Sequence, residues 1–383
     1  MNQKEIGEIR RRVRRDRSNM TAIYGCYVNG QKEIISEFRQ SVGMMPENEG
    51  ERYFGVMRRV LSGSIGKNLI DITFKTAQVA DSPEHKLLMG LRNCALQDEQ
   101  LRMEFYQKVI ESVAFDDNYL VLLGCDSYDV PFKSKDGQAQ SDASDETYTY
   151  LLCAVCPVKL TKPSLRYIAE EKVFHDGGVA QVIAAPELGF LFPAFDGRAT
   201  NIYNALYYTH SPKDNHEDFV GAVFNTPVAK PAYEQKKTFE ALLTRTLEDE
   251  CTLEVVQFVH EQICQCIDMH KESRVPDTLL VSKEQVKEAL SSCGVSENHI
   301  AKFSVDYDEA FGFEAEIHPK NVIDNKRFEI RTPDVSIQVS PERSDLIQTR
   351  MIGGVKYLLI CAEDDVEVNG VPVHIADGTP ATV

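Results

Sequence analysis

Six arginines fall within ten residues near the start of the chain, in the segment EIRRRVRRDR at positions 8–17. A guanidinium group presents a planar fork of N–H donors that matches the oxygens of a phosphate, so arginine clusters are typical of nucleic-acid-binding surfaces. No other segment indicates a chemistry as directly. The candidate nucleic-acid-binding residues are Arg10, Arg11, Arg12, Arg14 and Arg15.

The same segment also fits an ordinary amphipathic helix. Residues 2–17 have the spacing of a helix with a narrow apolar stripe, which consists of Ile6, Ile9 and Val13. Glu8 is expected to pair with Arg11 and Arg12, one helical turn further on. The pattern favours a surface helix whose basic side meets the acidic body of this protein or of its partner, with a phosphate-binding arm as the alternative. A membrane-binding helix is disfavoured because the stripe lacks bulky apolar side chains.

The segment GSIGKN at positions 63–68 matches a phosphate-binding loop only in part. That loop needs the pattern Gly-x4-Gly-Lys-Ser/Thr, in which backbone N–H groups surround the phosphates and the hydroxyl reaches Mg²⁺. The first glycine is replaced by Leu61 and the hydroxyl residue by Asn68, and the residues that follow have the pattern of a strand. We therefore interpret the segment as a turn.

Cysteine and histidine form two candidate groupings. Cys153 and Cys156 make a single CxxC inside a predicted strand, where alternation would point the two sulfurs to opposite faces. One predicted helix carries two pairs with i,i+4 spacing, His260/Cys264 and Cys266/His270. At 100° per residue those pairs lie on different sides of the helix and cannot share one ion. A structural zinc protein is kept as an alternative, but no metal ligand and no cofactor is assigned.

Motifs of covalent or metal-dependent catalysis are missing, since the sequence contains neither GxSxG nor HExxH. The nine histidines are dispersed, so any triad would have to be assembled by the fold. Asp126, Asp129 and Asp136 follow a predicted strand and are interpreted as solvated loop carboxylates. No catalytic residue is predicted. The enzyme alternative is a hydrolase with a site assembled across the sheet and the helical region.

The elements that must position these residues are of α+β type. Asn29-Gly30 predicts a hairpin with a two-residue type I′ turn, and Gly353-Gly354 predicts a second one. Long strands are predicted on both sides of a polar, mobile loop at residues 131–146. Hairpins join neighbouring strands and regular βαβ alternation is missing, so we expect a mostly antiparallel or mixed sheet with flanking helices.

Three parts follow one another along the chain. Residues 1–224 are predicted to form an α+β domain that contains the basic helix and the first hairpin. Residues 225–312 have helical spacing, with Ser282 and Ser296 as N-caps of two short helices. Residues 313–383 are predicted to form a small β-rich region.

Composition narrows the class of protein further. The chain has 383 residues and a formal net charge of −17, which slows approach to nucleic acid but leaves a local basic patch possible. The ten cysteines are scattered rather than densely spaced, as expected for a cytoplasmic protein with reduced thiols. No apolar run is long enough to cross a membrane, and we expect no membrane partner.

Several longer segments are distributed along nearly the whole chain, among them SGSIGKNLIDITF, SPEHKLLMGLR, APELGFLFPAFDGRATNIYNALYYT and TPDVSIQVSPERSDLIQTRMIGGVKYLLI. Together these segments resemble one bacterial family, that of the domain of unknown function 4317. This resemblance implies a bacterial cytoplasmic protein and brings no functional residue with it.

A weaker, architectural likeness is to bacterial nucleoid-associated proteins, through the order of elements and the tripeptide Gly197-Arg198-Ala199 before an aromatic segment. It implies association with nucleic acid. We therefore expect a non-enzymatic cytoplasmic interaction protein that binds DNA or RNA through its arginine helix, and a homo-oligomer is a further possibility.

Overall fold

The computed structural model describes residues 1–133, 139–273, 278–313, 315–362, 366–368 and 370–373, and for residues 132–146 it gives at most the backbone. The chain divides into two compact units. Unit 1 is built mainly from residues 1–235 and unit 2 mainly from residues 236–383. The division into three parts at 224 and 312 stays a prediction.

Unit 1 combines a large sheet with helices. Its helices are α1 (Gln3–Arg12), α2 (Glu47–Arg59), α3 (Thr76–Asp81), α4 (Pro83–Asn93), α5 (Glu99–Ser112) and α6 (Glu217–Phe224). Its first strands are β1 (Ala22–Val28), β2 (Ile34–Ser41), β3 (Leu69–Thr73), β4 (Tyr119–Lys133) and β5 (Ala139–Leu160). The later strands are β6 (Leu165–Ile168), β7 (Val173–Asp176), β8 (Gln181–Ile183), β9 (Leu188–Phe192), β10 (Ala194–Asp196), β11 (Ala199–Asn201) and β12 (Asn204–Thr209).

The sheet has the strand order β2-β1-β4-β5-β9-β12-β3, and β8 pairs with the end of β5. All of its strand pairs are antiparallel. β10 and β11 form a separate hairpin, as do β6 and β7. The α+β class with an antiparallel sheet is therefore confirmed.

Both faces of the sheet are covered, so unit 1 has two cores. One face packs against α4, α5 and α6 through side chains such as Leu88, Phe105 and Phe224. The other face packs against α1 and α2, whose buried residues include Ile9 and Phe54. A central strand covered on both faces must be apolar at every position, and β9 (LGFLF) is buried at each of its five residues.

The first hairpin is present, but its turn differs from the prediction. β1 and β2 are joined by residues 29–33, and the positive φ of +66° lies at Lys32 rather than at Gly30. The Asn29 side chain organises the loop by accepting hydrogen bonds from the N–H groups of Gln31 and Glu33. Glycine is needed at position 30 because a Cβ there would lie 2.3 Å from the Asp116 carbonyl oxygen. The prediction of a two-residue type I′ turn was therefore wrong.

Two other boundaries also differ from the prediction. Helix α1 ends at Arg12 rather than at residue 17, because Val13 leaves the helical region at ψ 72°. The strands β4 and β5 extend through residues 131–133 and 139–146, which were predicted to be a mobile loop. In these extensions the backbones of β4 and β5 pair with each other, which the polar composition of the segment did not indicate. Residues 134–138 lie outside the described residues.

Unit 2 has a helical core. Its helices are α7 (Ala232–Leu247), α8 (Leu253–Ser273), α9 (Lys283–Ser292), α10 (Glu297–Phe311) and α11 (Pro319–Val322). The first residues of α7, before residue 236, belong to unit 1. Their buried side chains form one cluster that includes Phe239, Val259, Leu290 and Phe303. The N-cap at Ser282 is confirmed, since its side chain accepts a hydrogen bond from the Gln285 N–H. Ser296 also occupies an N-cap position.

Three two-stranded hairpins complete unit 2. Their strands are β13 (Phe328–Arg331) with β14 (Ser336–Val339), β15 (Ile347–Ile352) with β16 (Val355–Ile360), and β17 (Val366–Val368) with β18 (Val371–Val373). Gly353 and Gly354 have φ values of +58° and +83° between β15 and β16. The second predicted hairpin turn is therefore confirmed, because a type I′ turn needs positive φ at both central residues.

Candidate functional site

Helix α1 lies against the sheet through its apolar stripe. Ile6, Ile9 and Val13 are each at most 1% exposed, which confirms the docked amphipathic helix. The Asn2 side chain caps the helix, and Glu5 completes a capping box with it. The arginines that follow the cap therefore occupy fixed directions relative to the body of unit 1.

Arg12 points into the protein. Its Nη2 donates to the Ser127 carbonyl oxygen at 2.8 Å, and its Nε lies 3.7 Å from Asp126 Oδ2. The guanidinium carbon also stacks 4.6 Å from the centre of the Tyr128 ring. Arg12 is therefore engaged by its own protein, which leaves it little capacity to bind a phosphate.

Asp126 is the buried partner of Arg12 and not a solvated loop carboxylate. It lies within β4 and is 2% exposed. Its Oδ1 accepts from the backbone N–H groups of Asn19 and Ser127, and its Oδ2 accepts from the Tyr150 hydroxyl at 2.8 Å. The interpretation of the acidic cluster was thus wrong at Asp126. Asp129 lies within the same strand rather than in a loop, but its side chain is exposed to solvent as predicted. Asp136 lies outside the described residues.

The remaining arginines of this segment divide between inward and outward positions. Arg15 is half-buried and its Nη2 donates to the Met45 carbonyl oxygen at 2.9 Å. Arg10, Arg11 and Arg14 are exposed. Beside α1 is an open depression of about 400 Å³, whose lining residues are Glu8, Arg11, Arg12, Arg17 and Tyr128.

Glu8 pairs with Arg198 and not with Arg11 or Arg12, so the expected local pairing was wrong. Arg198 Nη1 lies 2.6 Å from Glu8 Oε2, and the Tyr128 hydroxyl donates to Glu8 Oε1 at 2.8 Å. Gly197 and Arg198 form the turn between β10 and β11, with positive φ at both residues. Burial and the neighbouring Glu8 carboxylate raise the pKa of Tyr128 to about 12. The tripeptide around Arg198 therefore holds α1 in place.

A second helix carries more arginines, and they line a cavity together with Arg10. The cavity has a volume of about 770 Å³ and lies between α1, α2 and β8. We call it the arginine groove, after Arg10, Arg52, Arg58 and Arg59. Its other lining residues are Glu49, Tyr53, Gly55, Val56, Gln181, Val182, Ile183, Ala184 and Ala185.

The arginine groove carries an excess of positive charge, since four arginines face one glutamate in its lining. Across the described residues, none of its four guanidinium groups makes an ion pair or a side-chain hydrogen bond, and Glu49 is the one carboxylate in the lining. Burial and the neighbouring Glu49 raise the pKa of Tyr53. Like charges gathered in one concave site repel each other, and a bound anion relieves that repulsion. The described lining holds no histidine, cysteine or serine that could act as a nucleophile or general base.

The segment at 63–68 is a turn, as predicted. Gly63 and Gly66 have positive φ, and the segment leads directly into β3. The Asn68 side-chain amide donates to the carbonyl oxygens of Thr209 and His210. The position at which a phosphate loop needs a hydroxyl is thus used to fasten the turn to the end of β12.

The thiols lie where the strand and helix patterns predict. Cys153 belongs to one core of unit 1 and Cys156 to the other, so the CxxC sulfurs point to opposite faces of the sheet. Burial raises the pKa of Cys156 to about 12. On α8, Cys264 Sγ lies 3.7 Å from His260 Nδ1. In the described part of the chain there is no group of three or more His, Cys, Asp or Glu residues that could hold a metal.

The family can be stated from the sequence comparison. A family model described as domain of unknown function (DUF4317) matches residues 1–371. The chain belongs to this family. No curated protein and no solved structure matches the chain. Among its described residues, this DUF4317 protein has no helix that is both long and apolar enough to cross a bilayer.

Sequence reasoning missed three of the four arginines that line the arginine groove of this DUF4317 protein. Arg52, Arg58 and Arg59 lie on a predicted helix with Glu47, Glu49 and Glu51, so the segment as a whole looks neutral. The available signal was their separation, since the glutamates occupy the first half of α2 and Arg58 and Arg59 its last turn. Their convergence with Arg10 depends on the packing of α1 beside α2.

Proposed function

We propose that this protein binds nucleic acid through the arginine groove and the exposed arginines of the α1 segment. The observation that carries the proposal is the convergence of Arg10, Arg52, Arg58 and Arg59 on one cavity without ion-pair partners in the described structure. Guanidinium forks match phosphate oxygens, and a polyanion supplies several phosphates at once.

The proposal revises the set of binding residues expected from sequence. Arg10, Arg11 and Arg14 remain in it because they are exposed, while Arg12 and Arg15 leave it because the protein itself engages them. The net charge of −17 opposes non-specific binding elsewhere on the chain, so the groove would be the local site of attraction. A cytoplasmic location, which the cysteine usage predicts, would give the groove access to nucleic acid.

The test measures the affinity for a short labelled DNA or RNA strand as a function of salt. The four arginines of the groove alone give a slope of log K against log[salt] of about −2.8 for a single strand and about −3.6 for a duplex, and contacts from Arg11 and Arg14 would make it steeper. Affinity would then fall by roughly 50-fold to 150-fold between about 50 mM and about 200 mM salt. The double variant Arg52→Gln/Arg59→Gln should reduce the size of the slope by about 1.4 to 1.8.

The matched control removes two positive charges from the opposite face of the sheet. Lys75 and Lys86 are exposed at α3 and α4, and Lys75→Gln/Lys86→Gln changes the net charge equally. The control should leave the slope unchanged. Equal losses in the two double variants, or no binding by the wild-type protein at about 50 mM salt, would show that the arginine groove does not bind nucleic acid.

A further inference from the structure

The arginine groove has two chemically different walls. Arg52, Arg58 and Arg59 stand on the α2 side. The opposite side is made of β8 and the residues after it, where Ile183 is 40% exposed. Tyr53 contributes a half-buried aromatic ring from α2. A site for phosphates alone needs only the first wall, so the apolar wall beside it favours a ligand that combines phosphates with an apolar part.

The apolar wall continues beyond the cavity. Leu160 pairs with Gln181 across the β5–β8 ladder and is 69% exposed. Residues directly opposite each other in an antiparallel pair lie on the same face of the sheet, so Leu160 follows Gln181 and Ile183 on the groove side. Gln181 itself is held by the Tyr27 hydroxyl, which donates to its side-chain oxygen at 2.8 Å. The wall is thus a fixed strand surface.

We propose that the arginine groove takes single-stranded nucleic acid, with phosphates on the arginines of α2 and α1 and an unstacked base between Tyr53 and the β8 wall. This inference rests on the proposed function and specifies its ligand. A duplex keeps its base faces stacked and exposes only base edges, within grooves that a protruding protein element must enter. A concave site with an aromatic ring and an arginine row is the arrangement by which proteins hold single strands.

The size of the cavity is consistent with this ligand. A volume of about 770 Å³ lies within the range of roughly 300–1,000 Å³ that is typical of small-molecule pockets. Arg52 and Arg59 are seven residues apart on α2, and a helix rises 1.5 Å per residue, so they are separated by about 10 Å along the helix. The groove can therefore accept a short length of one strand but not the body of a duplex.

The experiment compares four ligands with the full-length protein: a single strand, an abasic strand and a poly-glutamate of the same charge, and the same sequence as a duplex, which carries twice that charge. The single strand should bind at least roughly five-fold more tightly than the abasic strand, since one stacked base contributes at least that factor. The chain contains no tryptophan, so Tyr53→Trp places a single fluorescent reporter in the groove. Its emission should change on addition of the single strand and stay constant with the abasic strand.

Three variants separate stacking and apolar contact from charge. Tyr53→Leu should lose roughly five-fold or more in affinity for the single strand while the salt slope stays the same, and Tyr53→Phe should keep the affinity. Ile183→Ser changes an exposed β8 side chain on the groove side and should weaken single-strand binding with the fold intact.

Equal affinities for the single strand, the abasic strand and the duplex, with dependence on Arg52 and Arg59 retained, would overturn this inference and leave the proposed function standing. Poly-glutamate binding as tight as the single strand would overturn it as well. Failure of every nucleic acid to bind would remove both.

Discussion

Removal of the Arg12 side chain should destabilise unit 1, although sequence alone places Arg12 among surface arginines. Arg12→Ala deletes the hydrogen bond to Ser127, the stacking on Tyr128 and the positive charge beside Asp126. The Asp126 side chain is 0% exposed, so it cannot recover the lost interaction from water. The change leaves a buried carboxylate that is held by neutral donors only.

The size of the effect follows from that environment. Removal of one partner of a buried ion pair costs about 3–5 kcal/mol of unfolding free energy. Three hydrogen bonds to the Asp126 carboxylate remain, from Asn19, Ser127 and Tyr150, and Arg12 itself is 18% exposed, so we expect the lower end of this range. For a unit of this size each kcal/mol lowers Tm by about 2–4 °C, which gives a decrease of about 6–12 °C.

Differential scanning calorimetry of the full chain measures this decrease. The matched control is Arg11→Ala, which removes the same charge from an exposed neighbour and should change the unfolding free energy by less than about 0.5 kcal/mol. In the double variant Arg12→Ala/Asp126→Asn the buried charge is gone, so the loss should be smaller than the sum of the two single losses. A Tm for Arg12→Ala within about 2 °C of the wild type would refute the reasoning.

Three further outcomes are expected. Gly30→Ala should lower the unfolding free energy by more than about 1 kcal/mol, because its Cβ would meet the Asp116 carbonyl oxygen at 2.3 Å. Burial, followed by the charges of Lys320 and His270, lowers the pKa of His318 to about 4. The unfolded chain then binds the proton first, so denaturation should show stability falling by up to about 3 kcal/mol as pH drops from about 6.5 to about 4. A thiol reagent should label exposed Cys361 in the native protein, whereas Cys156 should react only after unfolding.

Each of these outcomes has a control. Gly43→Ala places its Cβ in open space and should leave the unfolding free energy nearly unchanged. His318→Gln should remove most of the acid-dependent loss, and a loss that persists in this variant would contradict the assignment to His318. Labelling of Cys156 at the same rate as Cys361 would mean that its burial between α2 and the sheet is not maintained in solution.

Local patterns predicted most of the elements. The N-cap serine at position 282 and the Gly353-Gly354 turn were found because capping and positive φ depend on a few neighbouring residues. The first turn was predicted wrongly for the same reason, since Gly30 is required by the distant Asp116 carbonyl and not by its own φ. The strand character of residues 139–146 was missed because their polar composition hides the backbone pairing.

The candidate site was harder to predict than the fold. The arginine segment was recognised, but the partner of Glu8 is Arg198, 190 residues away, and the partner of Arg12 is Asp126. Helical spacing alone assigns charges to near neighbours. It carries no information about carboxylates and arginines that other strands bring to the same place.

The sequence by itself determined the apolar stripe that docks α1 and the opposite orientations of Cys153 and Cys156, because each depends on the period of one helix or strand. It also determined the antiparallel α+β class, because hairpins join neighbouring strands and regular βαβ alternation is missing. Only the tertiary structure decided which arginines are available to a ligand. Arg12 is held inside by Asp126, while Arg10 joins Arg58 and Arg59 in one groove. The physical reason is that a charge is free or neutralised according to what lies within a few ångströms of it, and those neighbours come from distant parts of the chain.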